Sequence, residues 1–392
     1  MSEAYIVAAA RTAGGRRGGR LSGWHPADLA AQVLDALVQR SGVDPAAVDD
    51  VIMGCVGQVG EQACNVARNA ILSSSLPESV PGTSVDRQCG SSQQALHFAA
   101  QAVMSGTQDI VIAAGVESMS RVPMGTPITL PLKNGLGIYV SPSMKKRYDG
   151  VEFSQFSGAE AIARKYGLGK DQLDAFAFLS HQRAIEATRL GRFEEEIVSV
   201  QVRTADGETH NEPHLVDEGI RFDASLEGIA GVKLIQEGGA LTAASASQIC
   251  DGASGLLVVN ERGLKTLGVK PLARIHHMTV IGHDPVIMLE APIPATQLAL
   301  KRAGLSINDI DLYEVNEAFA SVPLAWLQAV GADPARLNVH GGAIALGHPL
   351  GGSGTKLMTT LVHALIHRQA RYGLQTMCEG GGLANVTIVE RL

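Results

Sequence analysis

Cys89 is the residue of this sequence best placed to act as a nucleophile. It lies in the segment 85–94, Val-Asp-Arg-Gln-Cys-Gly-Ser-Ser-Gln-Gln, between a turn-rich stretch ending at 81–83 and a helix-spaced apolar pattern over 95–104. We therefore predict that Cys89 occupies a tight turn at a helix start, where free N–H groups and the helix dipole favour the thiolate. Gly90 would let the backbone approach the group under attack. An inert, buried cysteine is the alternative, and the polar neighbours argue against it.

Two further stretches carry side chains that suit proton transfer. His348 lies in the Gly-rich segment 347–354, and a neutral imidazole on such a loop can accept the proton of Cys89. A phosphate-binding loop is the alternative, but the lysine-serine ending of a P-loop is missing. Cys378 is followed by Glu379 and three glycines, whose uncovered N–H groups can hold an oxyanion, and its thiol can deliver and remove a proton. The alternative there is a glycine-rich connection with an incidental cysteine.

A fourth stretch, 316–320, reads Asn-Glu-Ala-Phe-Ala and follows a short apolar strand pattern. The amide of Asn316 can orient a water molecule or donate to a carbonyl oxygen. Asn-Glu pairs also begin many helices, so this stretch alone does not specify a function.

The composition is that of a globular protein of two or three domains. The chain has 392 residues, of which 45% are hydrophobic and 18% charged, and it contains 44 glycines. Its five cysteines form no Cys-x-x-Cys pair, which argues against a zinc site or a disulfide framework and favours a reducing compartment. The net charge of −7 argues against general nucleic-acid binding.

The sequence shows no targeting or membrane signal. The amino-terminal residues lack the basic start of a signal peptide, no apolar run is long enough to span a bilayer, and the last residues are not a peroxisomal address. We therefore expect a cytoplasmic protein that does not bind a membrane.

Alternating strand and helix patterns predict a layered α/β fold. In the first part of the chain the predicted strands are 5–10, 50–56 and 109–114, and the predicted helices are 27–40, 64–72 and 95–104. After residue 118 the pattern becomes irregular and then helical, with helices predicted over 158–166 and 170–190 and a hairpin turn at 204–207. This change indicates an inserted domain, and a core strand returns at 255–260.

The last third of the chain repeats the pattern of the first. Its predicted helices are 294–304, 323–331 and 354–368, and its predicted strands are 312–315, 376–378 and 385–389. Both parts contain a strand, a turn rich in glycine and serine, a helix, and a strand that ends in glycine. This similarity indicates an internal duplication.

In their order and spacing, the stretches around Cys89, Asn316, His348 and Cys378 resemble the thiolase family over essentially the whole chain. The resemblance implies an α/β thiolase fold: two duplicated α/β halves in a five-layered α-β-α-β-α core, with a loop domain inserted in the first half. The implied domains are 1–118 plus 248–270 for the N-terminal half, 119–247 for the inserted CoA-binding loop domain, and 271–392 for the C-terminal half.

The resemblance also implies a role for each residue of the site. Cys89 is the nucleophile that becomes acylated, His348 activates it, and Cys378 is the acid and base at the α-carbon of acetyl-CoA. Asn316 holds a water molecule that forms one oxyanion hole together with His348. The backbone N–H groups of Cys89 and Gly380 form the other.

Coenzyme A is implied as a substrate that lies across the inserted domain, and neither a metal nor a redox cofactor is required. Ser247 matches a serine that contacts the pantetheine, although Gln248 replaces a glycine that is common at the next position. Arg221 matches a basic residue near the adenine, and a solvated surface arginine is the alternative. Because thiolases are commonly oligomers, we expect a homodimer or a homotetramer.

The implied activity is cleavage of a 3-ketoacyl-CoA by CoA to acetyl-CoA and a shortened acyl-CoA, with the Claisen condensation as its reverse. Acetoacetyl-specific thiolases often carry His-Met-Gly before the loop-domain helix, where this chain has Phe-Ser-Gly at 156–158. This departure favours a degradative enzyme with a larger acyl pocket. The segment 86–94 also resembles actinobacterial thiolases of lipid and steroid-ring breakdown.

Three alternatives remain open at this point. A biosynthetic acetoacetyl-CoA thiolase would use the same residues. A decarboxylating ketosynthase shares the fold and the nucleophile but uses a second histidine, or a histidine and an asparagine, in place of the second cysteine, so Cys378 argues against it. A non-catalytic acyl-CoA-binding protein of the same fold would be favoured by loss of Cys89, His348 or Cys378, and all three are present.

Overall fold

The structure, a computed structural model, describes residues 2–392. Its strands are β1 (Tyr5–Thr12), β2 (Gly15–Arg16), β3 (Asp50–Gly54), β4 (Gly82–Val85), β5 (Ile110–Ser118), β6 (Ile197–Val198), β7 (Val200–Arg203), β8 (Thr209–His214), β9 (Cys250–Val259), β10 (Ala273–Gly282), β11 (Leu312–Val315), β12 (Tyr372–Glu379) and β13 (Leu383–Arg391). Its α-helices are α1 (Pro26–Ser41), α2 (Val66–Leu72), α3 (Ser91–Ser105), α4 (Thr126–Lys133), α5 (Pro142–Arg147), α6 (Gln155–Lys165), α7 (Lys170–Arg189), α8 (Leu226–Ala230), α9 (Glu261–Leu267), α10 (Pro292–Ala303), α11 (Ser321–Val330), α12 (Ala343–Leu346) and α13 (Ser353–Arg368).

The main sheet consists of two halves that meet at a short junction. One half has the strand order β4-β3-β5-β9-β1, and the other has the order β10-β13-β12-β11. Two residue pairs between β1 and β10, Tyr5 with Arg274 and Ile6 with Ala273, join the halves. Strands β7 and β8 form a separate two-stranded sheet.

The two halves share one topology, which confirms the predicted duplication. In the first half β3 runs parallel to β4 and β5, and β5 pairs with β9 in the antiparallel sense. In the second half β11 runs parallel to β12, which pairs with β13 in the antiparallel sense. A parallel bridge from Leu337 to Tyr313 lies where the first half has β4.

The helices complete the five layers that the family resemblance implies. Helices α3 and α13 lie between the half-sheets, and one apolar cluster joins Leu96 of α3 and Met358 of α13 to strands of both halves. Helices α1 and α2 cover the outer face of the first half, and α10 and α11 cover that of the second. Each large apolar side chain buried in these clusters contributes about 1.5–3 kcal/mol to stability.

The inserted segment lies between β5 and β9. At the equivalent point of the second half, β12 and β13 are joined only by the glycine turn 380–382. The insertion contains α4 to α8 and β6 to β8, and its strand β6 pairs with β1 in the main sheet. This arrangement is consistent with the predicted domains, 1–118 plus 248–270, 119–247 and 271–392. Their boundaries stay a prediction.

Most predicted elements are confirmed within a few residues, and the misses are polar or irregular segments. The turn at 204–207 is confirmed, because Thr204 N–H donates to the Glu208 carbonyl at 3.1 Å and Gly207 has φ of 87°. The turn-rich stretch that ends at 81–83 is confirmed up to residue 80, but 82–85 forms the short, partly exposed edge strand β4. Strand β10 was not predicted, since its arginine and adjacent histidines interrupt the apolar alternation.

Candidate active site

The predicted catalytic residues lie where parallel strands end and two helices begin. Cys89 follows β4 and precedes α3, and His348 lies in the loop before α13. Asn316 follows β11, and its backbone N–H donates to the carbonyl oxygen of Thr376 at 3.1 Å. This bond places Asn316 beside β12 at Thr376, which precedes Cys378 by two residues.

The first turns of α3 and α13 are in direct contact. A Cβ atom on Gly354 would lie 2.1 Å from the backbone nitrogen of Gln93, so only glycine permits this approach. The Thr355 N–H donates to Ser92 Oγ at 3.0 Å across the same contact. Neither N-cap residue, Gly90 or Gly352, caps its helix with a side chain. Two positive helix ends therefore converge at this site, where they favour a negative charge.

The turn that carries Cys89 is fixed by its own hydrogen bonds. The Arg87 N–H donates to Ser91 Oγ at 2.9 Å, and that hydroxyl donates to the Gln88 carbonyl at 2.5 Å. Gln88 has a φ of 49°, in the left-handed region. The prediction of a tight turn at a helix start is confirmed, since α3 begins two residues after Cys89.

Position 90 must be glycine because Glu379, a neighbour that the sequence did not indicate, occupies the space beside it. A Cβ atom at this position would lie 1.9 Å from Oε1 of Glu379. The expected approach of the Gly90 backbone to the group under attack stays a prediction.

Cys89 is a protonated thiol in the resting protein. Burial, followed by the nearby carboxyl of Glu379, raises its pKa to about 12. The expectation that the helix start favours the thiolate is therefore wrong for the resting state, because desolvation outweighs the helix dipole. Attack by this sulfur needs a base.

His348 has the properties of that base. Its Nδ1 lies 2.5 Å from Ser353 Oγ, and the Ser353 hydroxyl donates to the Pro349 carbonyl at 2.9 Å. Because the hydroxyl proton is used in this way, Oγ accepts the Nδ1–H, which leaves a lone pair on Nε2. The amide nitrogen of Asn316 lies 3.3 Å from Nε2. Burial, with a smaller effect of Lys356, lowers the pKa of His348 to about 3, so the imidazole is neutral.

The loop that carries His348 is held from three sides. The His348 N–H donates to the Gln248 carbonyl at 3.0 Å. The buried ammonium of Lys356 donates to the Leu346 carbonyl at 2.5 Å and to the Gly347 carbonyl at 3.3 Å. The carboxylate of Glu117 accepts the Gly351 N–H at 2.9 Å. The imidazole is thus carried by a rigid loop.

Glu117 joins this loop to the first half of the protein. It also accepts the N–H groups of Val56 and Gly57, each at 2.9 Å, and the Gln62 amide at 2.8 Å. Sequence reasoning missed Glu117, and an acid near the end of the apolar strand β5 was the only available signal. It missed Ser353 as well, although a hydroxyl five residues after the candidate base was visible.

Cys378 lies at the end of β12 and is 1% exposed. Burial, then Cys89 and Glu379, raise its pKa well above that of an ordinary thiol. The two cysteines lie near one another, because the carboxyl of Glu379, the residue after Cys378, packs against Gly90, the residue after Cys89. Among residues 2–392, the backbone N–H groups of Cys89 and Gly380 donate to no protein acceptor, so both remain free to bind an oxyanion.

The two candidate CoA contacts differ in their placement. Ser247 is half-buried, and its N–H donates to the Ala318 carbonyl at 2.9 Å, beside the Asn316 loop. Arg221 is exposed, and its backbone N–H donates to Nδ1 of His181 at 3.3 Å. The geometry therefore brings Ser247 to the site and leaves Arg221 on the surface of the inserted segment.

An aromatic pair connects the inserted segment to the Asn316 loop. The rings of Phe156 and Phe319 meet edge to face, with centroids 5.5 Å apart and planes at 74°. Phe156 is 41% exposed and lies in the first turn of α6, so the segment 156–158 is inside the helix and not before it as predicted. The exposed part of this ring is available to an apolar ligand.

Comparison with known families accounts for nearly the whole chain. The family description "Thiolase, N-terminal domain" matches residues 4–262, and "Thiolase, C-terminal domain" matches residues 269–391. The chain belongs to the thiolase family. The matches agree with the fold and with the resemblance carried by the four sequence stretches.

Individual relatives of this thiolase match over at least 95% of their own length. The steroid 3-ketoacyl-CoA thiolase FadA6 of Mycobacterium tuberculosis is 52% identical, over 100% of this chain and 95% of its own. A 3-ketoacyl-CoA thiolase of Yersinia pestis is 41% identical, with 100% of both chains covered. Among solved structures, the Bacillus anthracis acetyl-CoA acetyltransferase has a TM-score of 0.90 at 33% identity, covering 100% and 99% of the two chains. Human mitochondrial 3-ketoacyl-CoA thiolase in complex with CoA has a TM-score of 0.88 at 34% identity, covering 100% and 98%.

Proposed function

We propose that this protein cleaves a 3-ketoacyl-CoA with CoA, to acetyl-CoA and a shortened acyl-CoA, and catalyses the reverse Claisen condensation. The observation that carries the proposal is the convergence of the segments that bear Cys89, His348 and Cys378. Asn316 bonds to the strand of Cys378 and lies 3.3 Å from Nε2 of His348. Glu379, next to Cys378, packs against Gly90, next to Cys89. The full-length likeness to relatives named 3-ketoacyl-CoA thiolase supports it. The activity makes the protein an acyltransferase.

In the first half-reaction, Cys89 Sγ attacks the 3-keto carbon while Nε2 of His348 takes the thiol proton. The bond between the 2-carbon and the 3-carbon then breaks, and its electron pair passes to the 2-carbon as an enolate. Cys378 protonates that carbon, so acetyl-CoA leaves and Cys378 becomes a thiolate. The remaining acyl group stays on Cys89 as a thioester.

In the second half-reaction, a fresh CoA thiol loses its proton to Cys378 and attacks this thioester. The Cys89 sulfur leaves and recovers its proton from His348, which restores the resting state. Two thiols are needed because one holds the acyl group while the other handles the α-carbon proton.

Two groups of donors are placed to hold the oxyanions. The free N–H groups of Cys89 and Gly380 support a role at the acyl-enzyme carbonyl, and the two helix starts add positive potential there. The pairing of Asn316 with His348 supports a second oxyanion hole, completed by a water molecule held by Asn316. Each such donor contributes a factor of about 10²–10³ to the rate.

CoA is proposed to bind as a substrate along the inserted segment, with Ser247 at the pantetheine and Arg221 near the adenine. The placement of Ser247 beside the Asn316 loop supports the first contact, and the surface position of Arg221 makes the second the weaker one. The expectation that no metal or redox cofactor takes part stays a prediction. So do the homodimer or homotetramer, the cytoplasmic location and the absence of nucleic-acid partners. Among residues 2–392, no helix is long and apolar enough to cross a bilayer.

The proposed role is degradative. The proposed substrates are thioesters with a large acyl group, including fatty-acyl and steroid-derived thioesters. The relative named steroid 3-ketoacyl-CoA thiolase, at 52% identity, supports this class. The exposed ring of Phe156 above Phe319 supports it as well, because a flat apolar surface suits a polycyclic group. A biosynthetic acetoacetyl-CoA thiolase is the second candidate, and the structural likeness to an acetyl-CoA acetyltransferase favours it.

A panel of 3-ketoacyl-CoA thioesters, from acetoacetyl to polycyclic, incubated with free CoA tests the proposal. We expect kcat/KM to rise from the acetoacetyl to the bulky thioesters, and Phe156→Ala to lower it for the bulky ones only. The matched control is Cys89→Ala, which should abolish turnover of every substrate. Highest activity with acetoacetyl-CoA would favour the biosynthetic alternative.

Acetylation of the protein separates catalysis from mere acyl-CoA binding. A thiolase incubated with acetyl-CoA gains one acetyl group on Cys89, which mass spectrometry of the peptide detects. A non-catalytic acyl-CoA-binding protein of this fold gains none.

A further inference from the structure

The carboxyl group of Glu379 is a buried acid that the reaction above does not use. Its side chain is 0% exposed, and no side chain among residues 2–392 donates a hydrogen bond to either carboxyl oxygen. The backbone of Asn385 has the smallest effect on its pKa. Buried ionisable side chains are nearly always paired, so an unpaired carboxyl next to the reacting groups indicates a function.

Glu379 connects the two segments that carry the cysteines of the site. It directly follows Cys378 on β12, and its carboxyl packs against Gly90, which directly follows Cys89. A Cβ atom on Gly90 would lie 1.9 Å from Oε1 and 2.6 Å from Cδ, so glycine is needed for the carboxyl to reach this position. The charge of Glu379 acts on both thiols and raises the pKa of each.

Several charged and polar groups surround the carboxyl of Glu379. Arg87 faces it from the turn before α3, and the Nε of Arg87 is itself buried without a partner. Strand β13 contributes the backbone of Asn385, whose side chain lies 3.3 Å from Nδ1 of His97 on α3. The groups that act electrostatically on Cys89 are Glu379, Glu117 and Asp86. Of these three charges, that of Glu379 has the largest effect on the pKa of Cys89.

We propose that Glu379 is a positioning residue that sets the proton affinity of the two thiols: its neutral carboxyl permits a thiolate at Cys89 or Cys378, and its ionised carboxylate opposes one. The role serves the proposed thiolase reaction, in which Cys378 becomes a thiolate after it protonates the enolate. A neutral carboxyl keeps a second negative charge away from that thiolate.

The protonation state of Glu379 fits this role. Burial raises its pKa to about 8, although the guanidinium of Arg87 acts in the opposite direction. The carboxyl is therefore mostly neutral at pH 7 and becomes ionised as the pH rises through about 8. Above that pH, the new negative charge makes a thiolate harder to form.

The rate at which iodoacetamide alkylates Cys89 tests the proposal without any turnover. We would measure it by peptide mass spectrometry from about pH 6 to about pH 10 in the wild type and in Glu379→Gln. Below about pH 7 the two proteins should react within twofold of one another. Above about pH 9 the variant should react roughly tenfold faster, the factor that one pKa unit represents.

Glu314→Gln is the matched control. Glu314 on β11 is also a buried acid with an unpartnered oxygen, and burial raises its pKa too, but neither cysteine is among the groups acting on it. This variant should keep the wild-type alkylation profile. Coincident profiles of wild type and Glu379→Gln would overturn the proposal.

The wild type alone gives a second test if Glu379→Gln does not fold. Titration of the carboxyl should produce a break near pH 8 in the logarithmic alkylation profile, below the thiol's own pKa of about 12. A single straight rise through that region would overturn the proposal. Failure of the thioester panel would contradict the proposed function alone, because alkylation requires no substrate.

Discussion

The hydroxyl oxygen of Ser353 lies 2.5 Å from Nδ1 of His348 and decides which imidazole nitrogen acts as the base. Its own proton is directed to the Pro349 carbonyl at 2.9 Å, so it accepts the Nδ1–H and leaves Nε2 unprotonated. When Nε2 takes the Cys89 proton, the same contact stabilises the imidazolium. A serine five residues after the histidine therefore holds the base in its working tautomer.

Ser353→Ala should slow acylation of Cys89 by roughly tenfold to a hundredfold, because a hydrogen bond to a charged group contributes about 1.5–3 kcal/mol. Single-turnover acetylation with acetyl-CoA, followed by mass spectrometry, measures the effect. Ser353→Thr keeps a hydroxyl and should retain most of the rate. Equal losses in both variants would point to packing and not to the tautomer.

His348→Asn should slow alkylation of Cys89 at neutral pH, because the base is lost while a hydrogen-bond donor stays. In this variant the rate should recover only as the pH rises toward the thiol pKa of about 12. A free thiol with a pKa of about 8.5 would recover much earlier. The imidazole itself adds no titration step between pH 6 and 9, because its pKa is about 3.

The role of His348 as the base is tested by comparing the alkylation rate of Cys89 in His348→Asn with that in the wild type at each pH. Identical rates from about pH 6 to about pH 9 would show that Cys89 reacts without help from His348. The histidine would then serve only the oxyanion.

The sequence allowed the fold and the four reactive stretches to be predicted, because strand and helix patterns and glycine turns are local features. The environment of Cys89 could not be predicted in this way. Its pKa depends on Glu379, which is 290 positions away and reaches the cysteine only through contacts of the folded chain. Glu117 was missed for the same reason, since its partners Val56 and Gly351 belong to different halves.

Cys378→Ser should still accept an acetyl group on Cys89 but should lose carbon–carbon bond cleavage by several orders of magnitude. A serine hydroxyl is far less acidic than a thiol, so it cannot exchange a proton with the α-carbon. Proton exchange at the methyl group of acetyl-CoA in deuterated water, followed by NMR, measures the step directly. Exchange at the wild-type rate in this variant would assign the acid and base to another residue.

Gly90→Ala should destabilise the protein by about 1–3 kcal/mol, through overpacking and not through backbone strain. Gly90 has φ of −87° and ψ of 9°, which alanine adopts freely, but the added Cβ would lie 1.9 Å from Oε1 of Glu379. Urea denaturation of the single and double variants measures the free energy of unfolding. Because the clash is with one side chain, Glu379→Ala should relieve most of it.

The double variant Gly90→Ala/Glu379→Ala should therefore be more stable than the sum of its single variants predicts, by about 0.5–3 kcal/mol. Gly354→Ala provides the control, since its Cβ would lie 2.1 Å from the backbone nitrogen of Gln93, which no side-chain truncation removes. Combined with Glu379→Ala, it should be additive within about 0.5 kcal/mol. Additivity in the Gly90 pair would mean that the Glu379 carboxyl does not occupy the space beside Cys89. In that case its control over the two thiols would have no structural basis.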